Sequence, residues 1–396
     1  MLIDGVMDHA HLFRRHLKRR LLLVAGLMTA IGCDADVVND SDDDGGGGNT
    51  TVSTSVASST SGDNGWDYEW CIPPGGAGGA GGRGGAGGLG GAGGAGECPT
   101  KAEAERLYVG GQCGSGYVID GPTYKEGQCC YWVHEDSCVT GRPFIEAGEL
   151  LLSEVRAGRG WCDDGPLPDV DGLSSAQRNA LARAWSEDAS GEHASIASFA
   201  RFALELMACG APAELVAAAH RAALDEVRHA RACFRLASAY AGESLGAGPL
   251  PLGNTVEVSS DLADVAARAA VEGCVGETLA AIQAAEQLAL TTDPAVREVL
   301  AAIANEEAQH AELAWRTVAW ALSCGGEKVR RAVGSALHGA MSSMADAVRD
   351  DAIDHLEAHG RLDTHALRSV RRRALEEVVR PCAEALLRQR SSELRV

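Results

Sequence analysis

The sequence predicts an all-α fold, an up-down four-helix bundle with one long crossover and added C-terminal helices, preceded by a disordered tether and a small disulfide-rich module. Three observations predict it. Apolar residues recur at helical spacing from Ser174 onward in Ala- and Leu-rich segments. The breaks between the first four of these segments run short, long, short, which is the connectivity of a bundle with a single crossover. Two of the four segments carry Glu-x-x-His on the face that should turn inward.

Composition bounds the rest. At 396 residues and 45% hydrophobic content the chain has apolar material for two or three domains, but glycine crowds its N-terminal quarter and alanine and leucine the remainder. A formal net charge of -20 excludes broad attraction to phosphate backbones, so no nucleic acid partner is expected.

The first element, 1–32, reads as a signal peptide, because Arg14, Arg15, Lys18, Arg19 and Arg20 precede an apolar run from Leu21 to Ile31. That run is too short for a comfortable membrane span. It ends in Ala30-Ile31-Gly32-Cys33, which resembles the lipobox of bacterial lipoproteins. The resemblance implies cleavage before Cys33, lipidation of Cys33, and an exported protein anchored to the periplasmic or cell-surface side of a bacterial membrane. Ala30 departs from the usual Leu or Val, and a plain secretory signal with a chance cysteine is the alternative. Arg14-Arg15-His16-Leu17-Lys18 also resembles a loose twin-arginine signal, which lets a protein fold and take up metal before export.

Residues 33–97 form the tether. Asp, Asn, Gly, Ser and Thr fill 34–65, and Gly-Gly alternates with Ala, Arg or Leu over 75–96, so the segment cannot bury enough surface to order itself. As flexible coil it would span about 45 Å root-mean-square. The next element, 98–172, is a small cysteine-rich module holding Cys98, Cys113, Cys129, Cys130, Cys138 and Cys162, with Cys71 left over in the tether. In an exported chain disulfides are the default, with their pairing open. Zinc is the alternative, disfavoured by the lack of a Cys-x-x-Cys pair. Tyr131, Trp132 and Val133 read as a short strand beside the cross-links that so small a module needs.

The bundle occupies 174–324, with Ser174 as its first N-cap. Its helices run over about 187–207, ending at Gly210-Ala211-Pro212; 213–240; 261–290, broken at Thr291-Thr292-Asp293-Pro294; and 295–322. The long crossover is 241–260, with Pro249, Pro251 and several glycines. A C-terminal helical extension, 325–396, has helical pattern near 328–358 and 364–388.

The chemistry lies in two motifs, Glu226-x-x-His229 and Glu307-x-x-His310. Residues three apart share a helix face, so both side chains of each pair can aim at one centre. Their register reads Leu215, Ala219, Ala222, Glu226, His229, Cys233, Leu236, Tyr240 in one helix and Val296, Leu300, Ile303, Glu307, His310, Ala314, Thr317 in the other. A carboxylate turned into an apolar interior is costly unless it is neutralised or coordinated, and two matching insertions ask for one cause. The other two helices should each add a carboxylate. Glu192 leads into Ile196, Phe199, Phe202 and Leu206, and Glu272 shares a face with Val265, Val275, Leu279 and Ile282; Glu277 is the alternative to Glu272 or an extra, movable ligand. Four carboxylates balance two divalent ions, and carboxylate with imidazole and no thiolate suits iron, with manganese or zinc as alternatives.

This order of Glu, Glu-x-x-His, Glu, Glu-x-x-His resembles the ferritin-like superfamily, including rubrerythrin and the demethoxyubiquinone hydroxylases, over about a third of the chain. The resemblance implies two iron ions bridged by carboxylates, ligands Glu192, Glu226, His229, Glu272, Glu307 and His310, and oxidase or ferroxidase chemistry with oxygen or peroxide. Rubrerythrin's Cys-x-x-Cys electron-transfer module has no counterpart in this sequence. A surface-anchored binding or structural protein that holds metal without turnover is the alternative function, and a homodimer an alternative assembly. Cys209, Cys233, Cys274, Cys324 and Cys382 read as core fillers or disulfide partners, Tyr240 as packing, and His193 as lying off the ligand face. Asp225 and Glu306 read as hydrogen-bond partners of outer groups or solvent.

Overall fold

The computed structural model describes residues 3–26, 65–72, 98–101, 103–104, 116–125, 128–136, 141–146, 149–253, 256–344 and 356–388. Cys33, Cys113, Cys138 and most of the tether lie outside these residues. The chain divides into two compact units, Asp36–Ser137 and the combination of Met1–Ala35 with Cys138–Val396.

The smaller unit is an antiparallel sheet of β1 (Gly65–Ile72), β2 (Gly116–Lys125) and β3 (Gln128–Asp136) in the order β1-β3-β2. Trp66-Asp67-Tyr68-Glu69-Trp70 alternates large and acidic residues, the period of a strand, and the backbone of β1 pairs with β3 along its whole length. That segment is therefore strand where the tether was expected. Cys98 and Cys129 form a disulfide, Cys130 is also disulfide-bonded, and Val118, Cys129, Tyr131 and Ala104 make a small core. The expected module boundary at 172 shifts to 137. Cys162 belongs to the other unit as a free thiol, 3.4 Å from Ser238 Oγ and from the Leu245 carbonyl.

The larger unit is helical. It comprises α1 (Ile3–Gly26), the short strands β4 (Ile145–Glu146), β5 (Glu149–Leu150) and β6 (Val155–Ala157), then α2 (Ser175–Ala208), α3 (Ala213–Ala241) and β7 (Leu245–Ala247). A single continuous run follows, made of α4 (Leu262–Arg268), a π-helical stretch π1 (Ala269–Glu277) and α5 (Thr278–Leu290). After it come α6 (Pro294–Cys324), α7 (Gly326–Ser343), α8 (Thr364–Ala374), a second π-helical stretch (Leu375–Val379) and α9 (Arg380–Arg388).

Capping chemistry sets the boundaries. Ser174 Oγ accepts from the Gln177 N–H while the Gln177 side chain accepts from the Ser174 N–H, so α2 starts a full three turns before the expected Glu187. Asp293 caps α6, whose first residue is Pro294. Gly242, at φ 76°, ends α3 in the left-handed conformation that other residues adopt at a cost.

Helix α2 packs along α3, α5 and π1 pack along α6, and α3 meets α6, so two helical hairpins face each other. The crossover between them, 242–261, contributes β7, which pairs with β6. Every residue of the two stripes predicted for α3 and α6 is buried. Helix α1 lies against α5, α6 and α9 with Leu17, Leu21 and Ala25 no more than 2% exposed, and Arg14 and Arg20 pair with Glu286 and Glu312. No helix among the described residues is long and apolar enough to cross a membrane. Helix α7 ends at Ser343, short of the expected 358, and 345–355 lie outside the described residues. Cys233, Cys274 and Cys382 are buried free thiols, Cys209 is a half-buried one, and Cys324 is disulfide-bonded.

Candidate metal centre

The inward stripes of α3 and α6 bring Glu226, His229, Glu307 and His310 together, each no more than 3% exposed. His229 Nδ1 lies 3.3 Å from Glu307 Oε1, 3.5 Å from Glu192 Oε2 and 3.6 Å from Glu226 Oε2. His310 Nδ1 lies 3.1 Å from Glu226 Oε1 and 3.7 Å from Glu307 Oε1. Two ligand groups result, Glu192, Glu226, His229, Glu307 and Glu226, Glu277, Glu307, His310, with the donor atoms of each within 4.8 Å of one another. Glu226 and Glu307 belong to both groups. Around that shared pair each group adds one further carboxylate and one imidazole, a donor set that could hold a metal ion.

Glu272 stands outside both groups, and Glu277 occupies the place expected for it. The reason is π1. Glu272 and Glu277 are about 140° apart on an α-helix. Hydrogen bonds from i to i+5 widen the turn, so both carboxylates face the interior side by side. Glu272 Oε2 accepts from Arg142 Nη1 at 3.2 Å and Oε1 from Arg201 Nη2 at 3.3 Å, which gives it two guanidinium partners in place of a cation. Arg142 and Arg201 carried no sequence signal. The glycines of π1, Gly273 and Gly276, were the trace of close packing there: a Cβ on Gly276 would sit 2.3 Å from the Gly141 carbonyl oxygen.

Outer carboxylates fix the imidazoles. His229 Nε2 donates to Glu306 at 2.7 Å and His310 Nε2 donates to Asp225 at 3.2 Å, each partner coming from the opposite helix. An ionised carboxylate only accepts, so the Nε2 atoms carry hydrogens and the Nδ1 atoms face the centre. The hydrogen bond from His229 holds the Glu306 carboxyl down at about 2. Arg228 closes the outer side by pairing with Asp225 and Glu306.

The inner atoms are poorly satisfied by protein. Glu226 Oε2, His229 Nδ1, Glu277 Oε1, Glu307 Oε2 and His310 Nδ1 are buried without a hydrogen-bond partner. Burial and the neighbouring Glu226 push the Glu192 carboxyl well above the usual range, and burial with Glu307 does the same to Glu277. Burial opposes ionisation of Glu226 and Glu307 too, but the two adjacent histidines hold both carboxyls below the usual range. Desolvation would lower both histidines, yet the surrounding carboxylates, Glu192, Glu226, Glu306 and Glu307 for His229 and Asp225, Glu226 and Glu307 for His310, raise each well above its usual value. His193 points elsewhere, its ring edge-on to Trp161 at 4.6 Å, and the Tyr240 hydroxyl bonds His359 Nδ1 at 2.9 Å.

No protein-family model, no curated protein and no solved structure matches this chain.

Proposed function

We propose that the larger unit is a ferritin-like four-helix bundle whose core binds a carboxylate-bridged pair of metal ions, iron foremost and manganese or zinc as alternatives, for oxidase- or ferroxidase-type chemistry with oxygen or peroxide. One observation carries the reading: two four-residue ligand groups share Glu226 and Glu307 and leave five buried nitrogen and oxygen atoms with no hydrogen-bond partner. Buried polar groups are otherwise satisfied almost without exception, so such a set asks for a cation.

In this reading Glu226 and Glu307 would be shared between the two ions, Glu192 with His229 and Glu277 with His310 would complete the two positions, and Glu306 and Asp225 would hold the imidazoles in the ligating tautomer. A bound iron pair supplies the redox chemistry. The chain keeps water away from Glu226, Glu277 and Glu307, all at most 3% exposed, while the Glu192 side chain, 19% exposed, is the ligand nearest solvent.

We further infer an exported, Cys33-anchored protein, on the basic and then apolar N-terminus, the resemblance of 30–33 to a lipobox, and the disulfides at Cys129, Cys130 and Cys324, a chemistry of oxidising compartments. Mass spectrometry of the membrane fraction checks it: a diacylated N-terminus at Cys33 is expected, and an intact Met1 sinks it.

Purified full-length protein should bind two ions per chain by elemental analysis, and the Glu226→Ala, Glu307→Ala double variant none. Unchanged metal content in the variant places the site elsewhere. Oxygen consumption with new near-ultraviolet absorbance on adding Fe(II) is the expected outcome; static binding without turnover points to a metal-holding surface protein.

A further inference from the structure

The two metal positions have equivalent ligands but unequal surroundings. Among the described residues Glu192 has no arginine or lysine partner, whereas Glu277, with its side chain 1% exposed, has Oε1 3.6 Å from Arg142 Nε. Arg142 enters from the segment preceding the bundle. Its guanidinium is 1% exposed and lies over the rings of Phe199 and Phe202, at 4.7 and 4.3 Å. Its carbonyl accepts from Ser195 Oγ at 2.8 Å, and the Gly141 carbonyl fills the space above Gly276, so the arginine cannot retreat from π1. Nη1 reaches Glu272, but Nε and Nη2 have no hydrogen-bond partner.

A guanidinium fixed in a dry interior beside a ligand carboxylate does two things. It attracts that carboxylate, and it repels any cation the carboxylate would bind. Glu272 offsets only part of its charge, because Arg201 draws on the same carboxylate.

We propose that Arg142 is a built-in competing cation that makes the two metal positions unequal. The position formed by Glu192, Glu226, His229 and Glu307 fills first and tightly. The position formed by Glu226, Glu277, Glu307 and His310 fills second, when an incoming ion draws Glu277 away from Arg142. Arg142 is a positioning residue in this scheme. The inference rests on the dimetal reading above.

Chelator-stripped full-length protein titrated with Mn(II), with free ion followed by electron paramagnetic resonance, tests it. Two steps are expected, the second weaker by about tenfold or more. Arg142→Gln should tighten the second step by about tenfold while Arg142→Lys, which keeps the charge, preserves the gap. Should Arg142→Gln fail to fold by circular dichroism, two ligand variants decide: Glu277→Gln should abolish the weak step alone and Glu192→Gln the tight one. Two equal steps in the natural chain, or an unchanged or weakened second step in folded Arg142→Gln, overturn the inequality and leave the dimetal reading standing. Absence of any Mn(II) binding fails that reading itself, and the inequality with it.

Discussion

At the scale of single residues the cluster is one of opposed shifts. Burial and close carboxylates raise Glu192 and Glu277, the surrounding carboxylates raise His229 and His310, and the histidines hold Glu226 and Glu307 low. The two raised histidines bind more protons folded than unfolded, so their contribution to stability is full below the ordinary histidine value of about 6.5 and drains away as pH climbs through their raised values, while that of the raised Glu192 and Glu277 carboxyls begins to drain already above the ordinary carboxylate range. On the metal-binding reading proposed above, divalent ions would compete with protons for these groups and bind better as pH rises. Melting temperature in chelator should therefore fall from about pH 6.5 to 9 while that in excess Mn(II) holds or rises; parallel curves would count against proton–metal exchange. Most members of this buried cluster were legible in the sequence, because a glutamate and a histidine three apart on an apolar stripe have few structural uses. Arg142 was not, since nothing local marks which side chain a distant segment inserts.

At the scale of elements, the helix boundaries were legible wherever capping residues stood, as at Ser174 and at Asp293-Pro294. The exception was π1, whose wider turn has no signature in composition and which exchanged Glu277 for Glu272. Its glycines are testable. Gly276→Ala would drive a Cβ to 2.3 Å from a backbone oxygen, and should cost about 1–3 kcal/mol and weaken Mn(II) binding at the Glu277 position. Gly334→Ala in α7 is the control, for its added Cβ meets nothing within 4 Å, and it should be neutral or stabilising by about 0.5–1 kcal/mol. Equal melting temperatures for the two variants would mean that π1 tolerates crowding.

For the whole molecule, helical periodicity gave away the class of the larger unit, whereas pairing partners remote in sequence stayed hidden. Strand β1 takes its partner from β3, and β6 from β7, which no window of sequence contains. Helix α1 shows the same limit: its basic and apolar residues suit a leader, and they also seat Leu17 and Leu21 against the bundle. A chain beginning at Cys33 should bind Mn(II) as the full chain does, because no ligand lies on α1. It should be less stable by about 1.5–3 kcal/mol for each of the two leucines no longer buried. Thermal melts and Mn(II) titration of both forms check this, and loss of ion binding in the shorter form would assign α1 a part in building the centre.

The crossed pairs, His229 with Glu306 and His310 with Asp225, carry a consequence for timing. A ribosome delivers the first hairpin well before the second, and that half alone holds Glu192, Glu226 and His229 with neither Glu307 nor the acceptor for His229 Nε2. On the metal-binding reading proposed above, a half-made chain would be a poor scavenger of ions, and capture would wait until synthesis has passed His310.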